Sequence, residues 1–418
     1  MSETTSAPLS RSVKLAILVA ALGYFVDAFD MLLFSVLRVD SLRALGVSES
    51  DLLPIGKFLL NCQMWGMLVG GLFWGVLGDK LGRIQVLFGS ILLYSVATFL
   101  NGFVVDTTQY AILRFVAGVG LAGELGGGIT LVSELMPKEK RGLATTFVAT
   151  IGVSGVVFAG LLGKMLPWRD TYMVGGAMGL ALLILRVSVN ESGLFNSIKK
   201  STEIRKGDLG LLFFSWERMK RYLACILIAT PTWFSVGILM TFCNEIGKAK
   251  GISETLTAAD SMLWCYFGIT LGDLGSGLIS QAMKSRKRTI IWFILGEACT
   301  VAAILLLPIS RAWQFYTLCV PLGFFVGYWV LFVTSAAEQF GTNLRATVAT
   351  TVPNFVRASV IPMTAGFSAL STAGYTVIQS AMVIGIVVLS IALFAATQLR
   401  ESFSVDLDYL EENGAQKT

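Results

Sequence analysis

The sequence predicts an all-α membrane protein of twelve transmembrane helices in two pseudo-symmetric six-helix bundles. Three observations carry that prediction. Of 418 residues, 55% are apolar and only 14% are charged, a balance foreign to soluble domains. Apolar stretches of about 20 residues, the length that crosses a hydrocarbon core ~30 Å thick, recur from one end of the chain to the other. A charged and mixed segment, ESGLFNSIKKSTEIRKGDLGLLFFSWERMK at 191–220, divides them six and six.

The first span, 14–38, follows a short polar stretch with no small-residue cleavage site, so a retained helix is expected rather than a removable signal. It carries Asp27 and Asp30 in GYFVDAFDMLLF. The second, 52–78, holds Gly66 and Gly70, then Gly71 and Gly75, each pair four residues apart. The third is 84–104, and the fourth, 108–135, holds Arg114 and Glu124. The fifth, 142–164, has glycines at 152, 155, 160 and 163, and the sixth is 169–190. After the linker come 219–244, 258–283 with Asp273, 288–308 with Glu297, 312–337, 346–371 with Arg357, and 374–398. The organisation expected is a bundle at 1–190, a linker at 191–220, a second bundle at 221–400 and a tail at 401–418.

Lysine and arginine bias sets orientation. The clusters KEKR at 138–141, Lys199 to Arg221 and KSRKR at 284–288 share one side with both termini. Both termini are therefore expected in the cytoplasm, and the protein in the cytoplasmic (inner) membrane. This asymmetry accounts for the net charge of +5, so no nucleic-acid partner is called for. Trp168 and Trp313, near outer helix ends, are expected to anchor at the membrane interface.

The chemistry available is narrow. There is no histidine, and the six cysteines show neither metal-ligand spacing nor a disulfide framework. No metal and no cofactor is expected. An embedded enzyme would need a nucleophile with its base, or a metal cluster, and the chain has no G-x-S-x-G. Any proton carried here rides on a carboxylate. Gly118, Gly120 and Gly123 do spell G-x-G-x-x-G, yet a dinucleotide loop must follow a strand and open a helix, whereas these lie inside an apolar run of helix length. Glycines there let helix backbones approach closely.

The halves repeat. Glu134 and Arg141 are seven apart in ELMPKEKRG after the fourth span. Glu338 and Arg345 are seven apart in EQFGTNLRA after the tenth, at an offset of 204. The stretch Gly75-Val-Leu-Gly78-Asp79-Lys80-Leu-Gly82-Arg83 closely resembles the loop signature of the major facilitator superfamily, G-x-L-G-D-[RK]-x-G-R. The fourth-span pattern from Arg114 to Glu124 and the tenth-span AAEQFGTNLRAT (336–347) are similar to its metabolite:proton symporter and sugar-porter branches, with Gly341 where proline is usual. Nearly the whole chain takes part in the resemblance.

That resemblance implies a secondary active transporter, a monomer in the lipid bilayer, whose partners are a small-molecule substrate and protons. It assigns proton coupling to Asp30 first and Asp27 second, gated by Arg114, with Glu124 at the family's acidic position. Asp27 and Asp30 lie about 60° apart around a helix, and Arg114 and Asp30 fall at similar depth, roughly 6 and 10 Å in at the usual helical rise, so the three are expected to form one site. A static buried ion pair is the competing reading. Intramembrane charge costs roughly 2.5–3.5 kcal/mol, so each such group calls for a partner or a task.

Candidate solute contacts are Tyr24, Gln63, Trp233, Tyr266, Asp273, Tyr328, Asn354 and Arg357, since central sites of such proteins lie at the interface of the halves. Arg357 suits an anionic or carboxylate-bearing solute, or else is balanced by a neighbouring acid. Gly75, Gly78, Asp79, Gly82 and Arg83, with Glu134 and Arg141, resemble the family's cytoplasmic latch; in the second half Gln281 stands near the place of Asp79, and Glu338 and Arg345 are expected to compensate. Proton symport is the leading expectation. Export or exchange of metabolites or drugs, and a transporter-like sensor, stand as alternatives.

Overall fold

The computed structural model describes residues 11–81, 83–123, 138–191 and 215–403, and among these there is helix and no strand. The first half of the chain gives α1 (Arg11–Ala44), α2 (Leu52–Leu81), α3 (Arg83–Asn101), α4 (Thr107–Leu121), α5 (Lys138–Met165) and α6 (Trp168–Glu191). The second gives α7 (Trp216–Leu227), α8 (Thr230–Phe234), a π-helical stretch (Ser235–Met240), α9 (Cys243–Lys250), α10 (Ala258–Met283) and α11 (Arg286–Leu306). It continues with α12 (Ala312–Val326), α13 (Trp329–Glu338), α14 (Thr342–Ala358), α15 (Val360–Thr372) and α16 (Val377–Gln398). These pieces occupy the places of the twelve expected spans. Seven helices among the described residues are long and apolar enough to cross a membrane, and Val86–Asn101 and Thr150–Met165 are shorter apolar ones.

Boundaries moved where sequence hydropathy ignored burial by protein. The first span runs on from residue 38 to Ala44, because Arg38 is wholly buried and does not mark a water boundary. The fourth helix begins on an Asp106 cap, whose carboxylate accepts from the Thr108 and Gln109 N–H groups at 2.8 Å each. Residues 124–135 of that expected span lie outside the described residues.

Three spans of the second half are broken, which the apolar runs did not reveal. The seventh stops at Leu227 and restarts at Thr230 with Pro231 in its first turn, where the missing N–H is harmless. It then widens into the π turn, with the Thr241 N–H on the Val236 carbonyl. The tenth breaks at Gly327 and Tyr328, and the eleventh at Ser359, three residues before Pro362. Broken backbone at membrane depth is tolerated only where protein buries it or a cavity lies beside it. Tyr328 is fully buried, and both flanking residues, Val326 and Trp329, line a cavity.

Glycine sets the closest crossings. A Cβ at Gly66 would overlap the Phe115 carbonyl, and one at Gly118 the Gln63 carbonyl, so α2 and α4 touch backbone to backbone. The same holds in the second half, where Gly268 meets the Val320 carbonyl and Gly323 the Cys265 carbonyl. The fingerprint glycines are thus packing surface, Gly118 on α2 and Gly120 on Tyr94 of α3. Between the halves, α5 packs on α10, and α2 on α14 and α15. Trp168 is a correction: it is buried between Tyr110 and Tyr172 rather than set in an interface, while Trp313 is exposed as expected.

Candidate functional site

The breaks and the inter-half seam converge on one cavity with about 490 Å³ of unfilled space, part of it open to solvent. From α1 it takes Tyr24, Ala28 and Met31, and from α5 Val153. The broken seventh span supplies Thr232, Trp233 and Val236, and α10 supplies Tyr266, Ile269 and Asp273. Val326 and Trp329 come from either side of the tenth-span break, and Arg357 comes from α14. Its wall is mostly apolar and aromatic with few polar groups, as small-molecule sites are.

Asp27 and Asp30 do not form one site with Arg114. About 60° apart on α1, they meet different arginines. Asp30 turns into the first half, where Arg114 Nη1 lies 3.9 Å from its Oδ1 and Thr98 donates to Oδ2 at 2.6 Å. Arg114 also lies over the rings of Phe34 and Tyr172, at 5.9 and 5.8 Å. Its three guanidinium nitrogens have no hydrogen-bond partner among the described residues. Asp27 turns toward the second half, with Oδ2 3.7 Å from Arg357 Nη2. Arg357 is therefore balanced by an acid, and it also lines the cavity.

Other predicted contacts divide. Tyr24, Trp233, Tyr266 and Asp273 line the cavity together with Arg357. Gln63 and Tyr328 are spent on structure, Gln63 donating to the Met31 carbonyl at 2.9 Å and Tyr328 to the Ile228 carbonyl at 2.8 Å. Asn354 bridges the halves by donating to the Ala122 carbonyl at 3.1 Å, and its Oδ1 accepts from Arg357 at 3.5 Å. Glu124, Gly82 and Glu134 lie outside the described residues, as do the side chains of Asp79, Arg83, Arg141 and Arg345 and the surroundings of Gly75 and Gly78. Glu338 is described, and it takes Arg286 at 3.4 Å and the Ser402 hydroxyl at 2.8 Å. Arg286, which opens α11, is thus an ion-pair partner of Glu338.

Sequence reasoning passed over a bidentate polar contact between the halves. Arg38 of α1 grips Glu245 of α9 with two nitrogens, at 2.8 and 2.7 Å, and also donates to the Leu52 and Thr241 carbonyls. Its guanidinium lies 4.7 Å from the Phe242 ring. Nearby, Lys248 pairs with Glu49 at 2.8 Å, Lys164 with Asp260 at 2.5 Å, and Lys57 donates to Ser368. Hydrogen bonds from Arg43 and Lys248 hold the exposed Glu49 carboxyl down at about 2. A signal was present, since Arg38 and Glu245 end the first span of each half with opposite charge.

Comparison with known proteins agrees with this geometry. Residues 20–361 match the profile of the Major Facilitator Superfamily. The chain is 28% identical to a Haemophilus influenzae protein provisionally named a metabolite transport protein, over 92% of this chain and 96% of that one. It is 27% identical to a Bacillus subtilis protein provisionally named a niacin/nicotinamide transporter, over 88% and 92%. To the benzoate transport protein of Acinetobacter baylyi it is 31% identical, over 69% and 62%.

Proposed function

The chain belongs to the major facilitator superfamily, and on that premise, which makes it a multi-pass membrane transporter rather than an enzyme, we propose that it carries a small ring-bearing carboxylic acid together with protons by alternating access. The observation that carries the reading is the 3.7 Å contact of Arg357 with Asp27 beside a cavity wall that is mostly aliphatic and aromatic. At that separation the pair attracts without a full hydrogen bond, so a solute carboxylate that engages Arg357 in bidentate fashion gains what Asp27 leaves unused. Tyr24, Trp233, Tyr266 and Trp329 offer faces and edges to a flat ring. Niacin and benzoate, named for two of the relatives, are ring acids.

Asp30 is the proton carrier in this reading. Thr98 and Arg114 stabilise its anion, and a proton arriving there frees Arg114. With both termini in the cytoplasm of the cell whose inner membrane holds the protein, the end closed by Arg38 and Glu245 is the extracellular one. This arrangement then belongs to the half-cycle in which solute leaves to the inside.

Reconstitution tests it. Liposomes carrying the protein, with an acid outside, should accumulate radiolabelled benzoate or nicotinate, and should ignore benzamide. Uptake of both acids indifferent to the pH gradient would sink the symport reading, and equal uptake of benzamide would sink the carboxylate. Accumulation only when the acid lies on the cytoplasmic face would make the protein an exporter.

A further inference from the structure

Asp273 has no cation within ion-pair distance among the described residues, although it lines the cavity and its Oδ2 is buried without a hydrogen-bond partner. What it holds is backbone. The break at Gly327 and Tyr328 starts α13 afresh, and the freed Val330 N–H donates to Asp273 Oδ1 at 3.3 Å, with the Trp329 N–H against the same carboxylate. The break is seated on α10 at this point, for a Cβ at Gly327 would come within 2.7 Å of the Asp273 nitrogen. On its other side the Tyr328 hydroxyl donates to the Ile228 carbonyl. The seventh-span break had left that carbonyl unused, because the Thr232 N–H bonds to Ala229 instead. The two broken spans therefore form one joint, with Tyr328 as its fixed pin and Asp273 as its only ionisable clasp among the described residues.

We propose that Asp273 is a positioning residue whose charge sets this joint: ionised, it latches the N-terminus of α13 and holds Trp329 in the cavity wall, and on taking a proton from cavity water it releases both. Hydrogen bonds to an anion are roughly twice as strong as neutral ones, and a helix N-terminus favours negative charge, so protonation removes both holds at once. Asp273 is in this way a second proton-responsive carboxylate, in the half opposite Asp30. The titratable groups that line the cavity with it are Tyr24 from α1, Arg357 from α14 and Tyr266 from its own helix, with Asp27 against Arg357 and Tyr24; Glu297 of α11 is near Cys265. Among the described residues, no titratable side chain from α5, α12 or α13 lines this cavity.

The test needs no solute, so its failure is distinct from failure of the carboxylate reading. Purified full-length protein in nanodiscs, labelled with 5-fluorotryptophan, is titrated from about pH 5 to 9, with the Trp329 resonance assigned by Trp329→Phe. The wild type should show one titration step in that resonance. The step should vanish in Asp273→Asn and return at a moved midpoint in Asp273→Glu, which keeps the carboxyl should the amide fold poorly. A Trp329 resonance without a step, a step that survives Asp273→Asn, or one that disappears instead in Asp27→Asn or Glu297→Gln, overturns the proposal.

Discussion

Two buried arginine–aspartate pairs share helix α1, and they differ in what they join. Arg114 and Asp30 close a contact inside the first half, 3.9 Å apart, with Thr98 and two aromatic rings completing the surroundings. Arg357 and Asp27, 3.7 Å apart, join α14 to α1 across the seam and line the cavity. One turn of helix separates the carboxylates. Any motion that swings one half against the other must break the second pair and can leave the first intact, so the first suits a carried charge and the second a contact that a solute replaces. Neither pair is a strong source of stability, because desolvation cancels much of the Coulomb gain in a buried pair.

The largest test of that contrast is Arg357→Met. Losing two charge-assisted hydrogen bonds to a solute carboxylate, together about 3 kcal/mol, should weaken benzoate binding about 100-fold. Combining it with Asp27→Asn removes both charges and should restore whatever thermal stability the single change cost, without restoring binding. Recovered binding in the double variant would show that Arg357 acts only by neutralising Asp27. Next is Asp30→Asn, which should abolish accumulation driven by a pH gradient yet leave solute counterflow running. Counterflow lost together with accumulation would place Asp30 in solute binding instead.

How much of this was legible in the sequence follows from what periodicity and charge can encode. Twelve apolar runs and the offset of 204 gave the spans, and spacing alone put Asp30 at the depth of Arg114. Which way each carboxylate turns was not legible, since it depends on the partner helix, and α1 faces both α4 and the second half. The breaks in the seventh and tenth spans were hidden because each is buried beside the cavity, so it leaves no polar mark in hydropathy, and the half-buried break at Ser359 sits within an apolar run. The matching crossings at Gly66 and Gly268 could have been found by aligning the halves on glycine rather than on the charged loops. Arg38 was set aside as the end of a span, where its burial reflects a partner 207 residues away.

That partner gives the third test, an inter-half contact with no cavity role. Arg38 is wholly buried and Glu245 nearly so, 13% exposed, and their bidentate bond spans the seam at the end carrying the loops 45–51 and 251–257. Glu245→Gln leaves a buried guanidinium with only carbonyls and the Phe242 ring. Water reaching the glutamate side moderates the loss, so about 2 kcal/mol, a shift of roughly 30-fold toward separation of this end, is expected. Spin labels at Ser50 and Thr255, in a background lacking the native cysteines, should report a longer distance population. An unchanged distance distribution would mean that the other contacts across the seam hold it closed without this bond.

Glu49 sharpens the comparison from the weak side, because it crosses the same seam with both partners in solvent. Lys248 and Glu49 are each 56% exposed, and such pairs are screened by salt and weak at physiological ionic strength. Arg43 and Lys248 hold the Glu49 carboxyl down at about 2, from an ordinary value of 4.5. A depressed carboxyl stabilises the arrangement that contains its partners, fully above pH 4.5, and that contribution is lost as the pH falls from 4.5 toward 2. At neutral pH, then, the contact is fully present, and removing it by Glu49→Gln should move the Ser50 to Thr255 populations by less than about twofold in 0.15 M salt. The same variant should flatten any change in those populations between pH 5 and 3, while Glu245→Gln keeps it. A Glu49→Gln effect as large as that of Glu245→Gln would mean that exposure does not decide the strength of these contacts, and that the four polar links at this end act as one cooperative network.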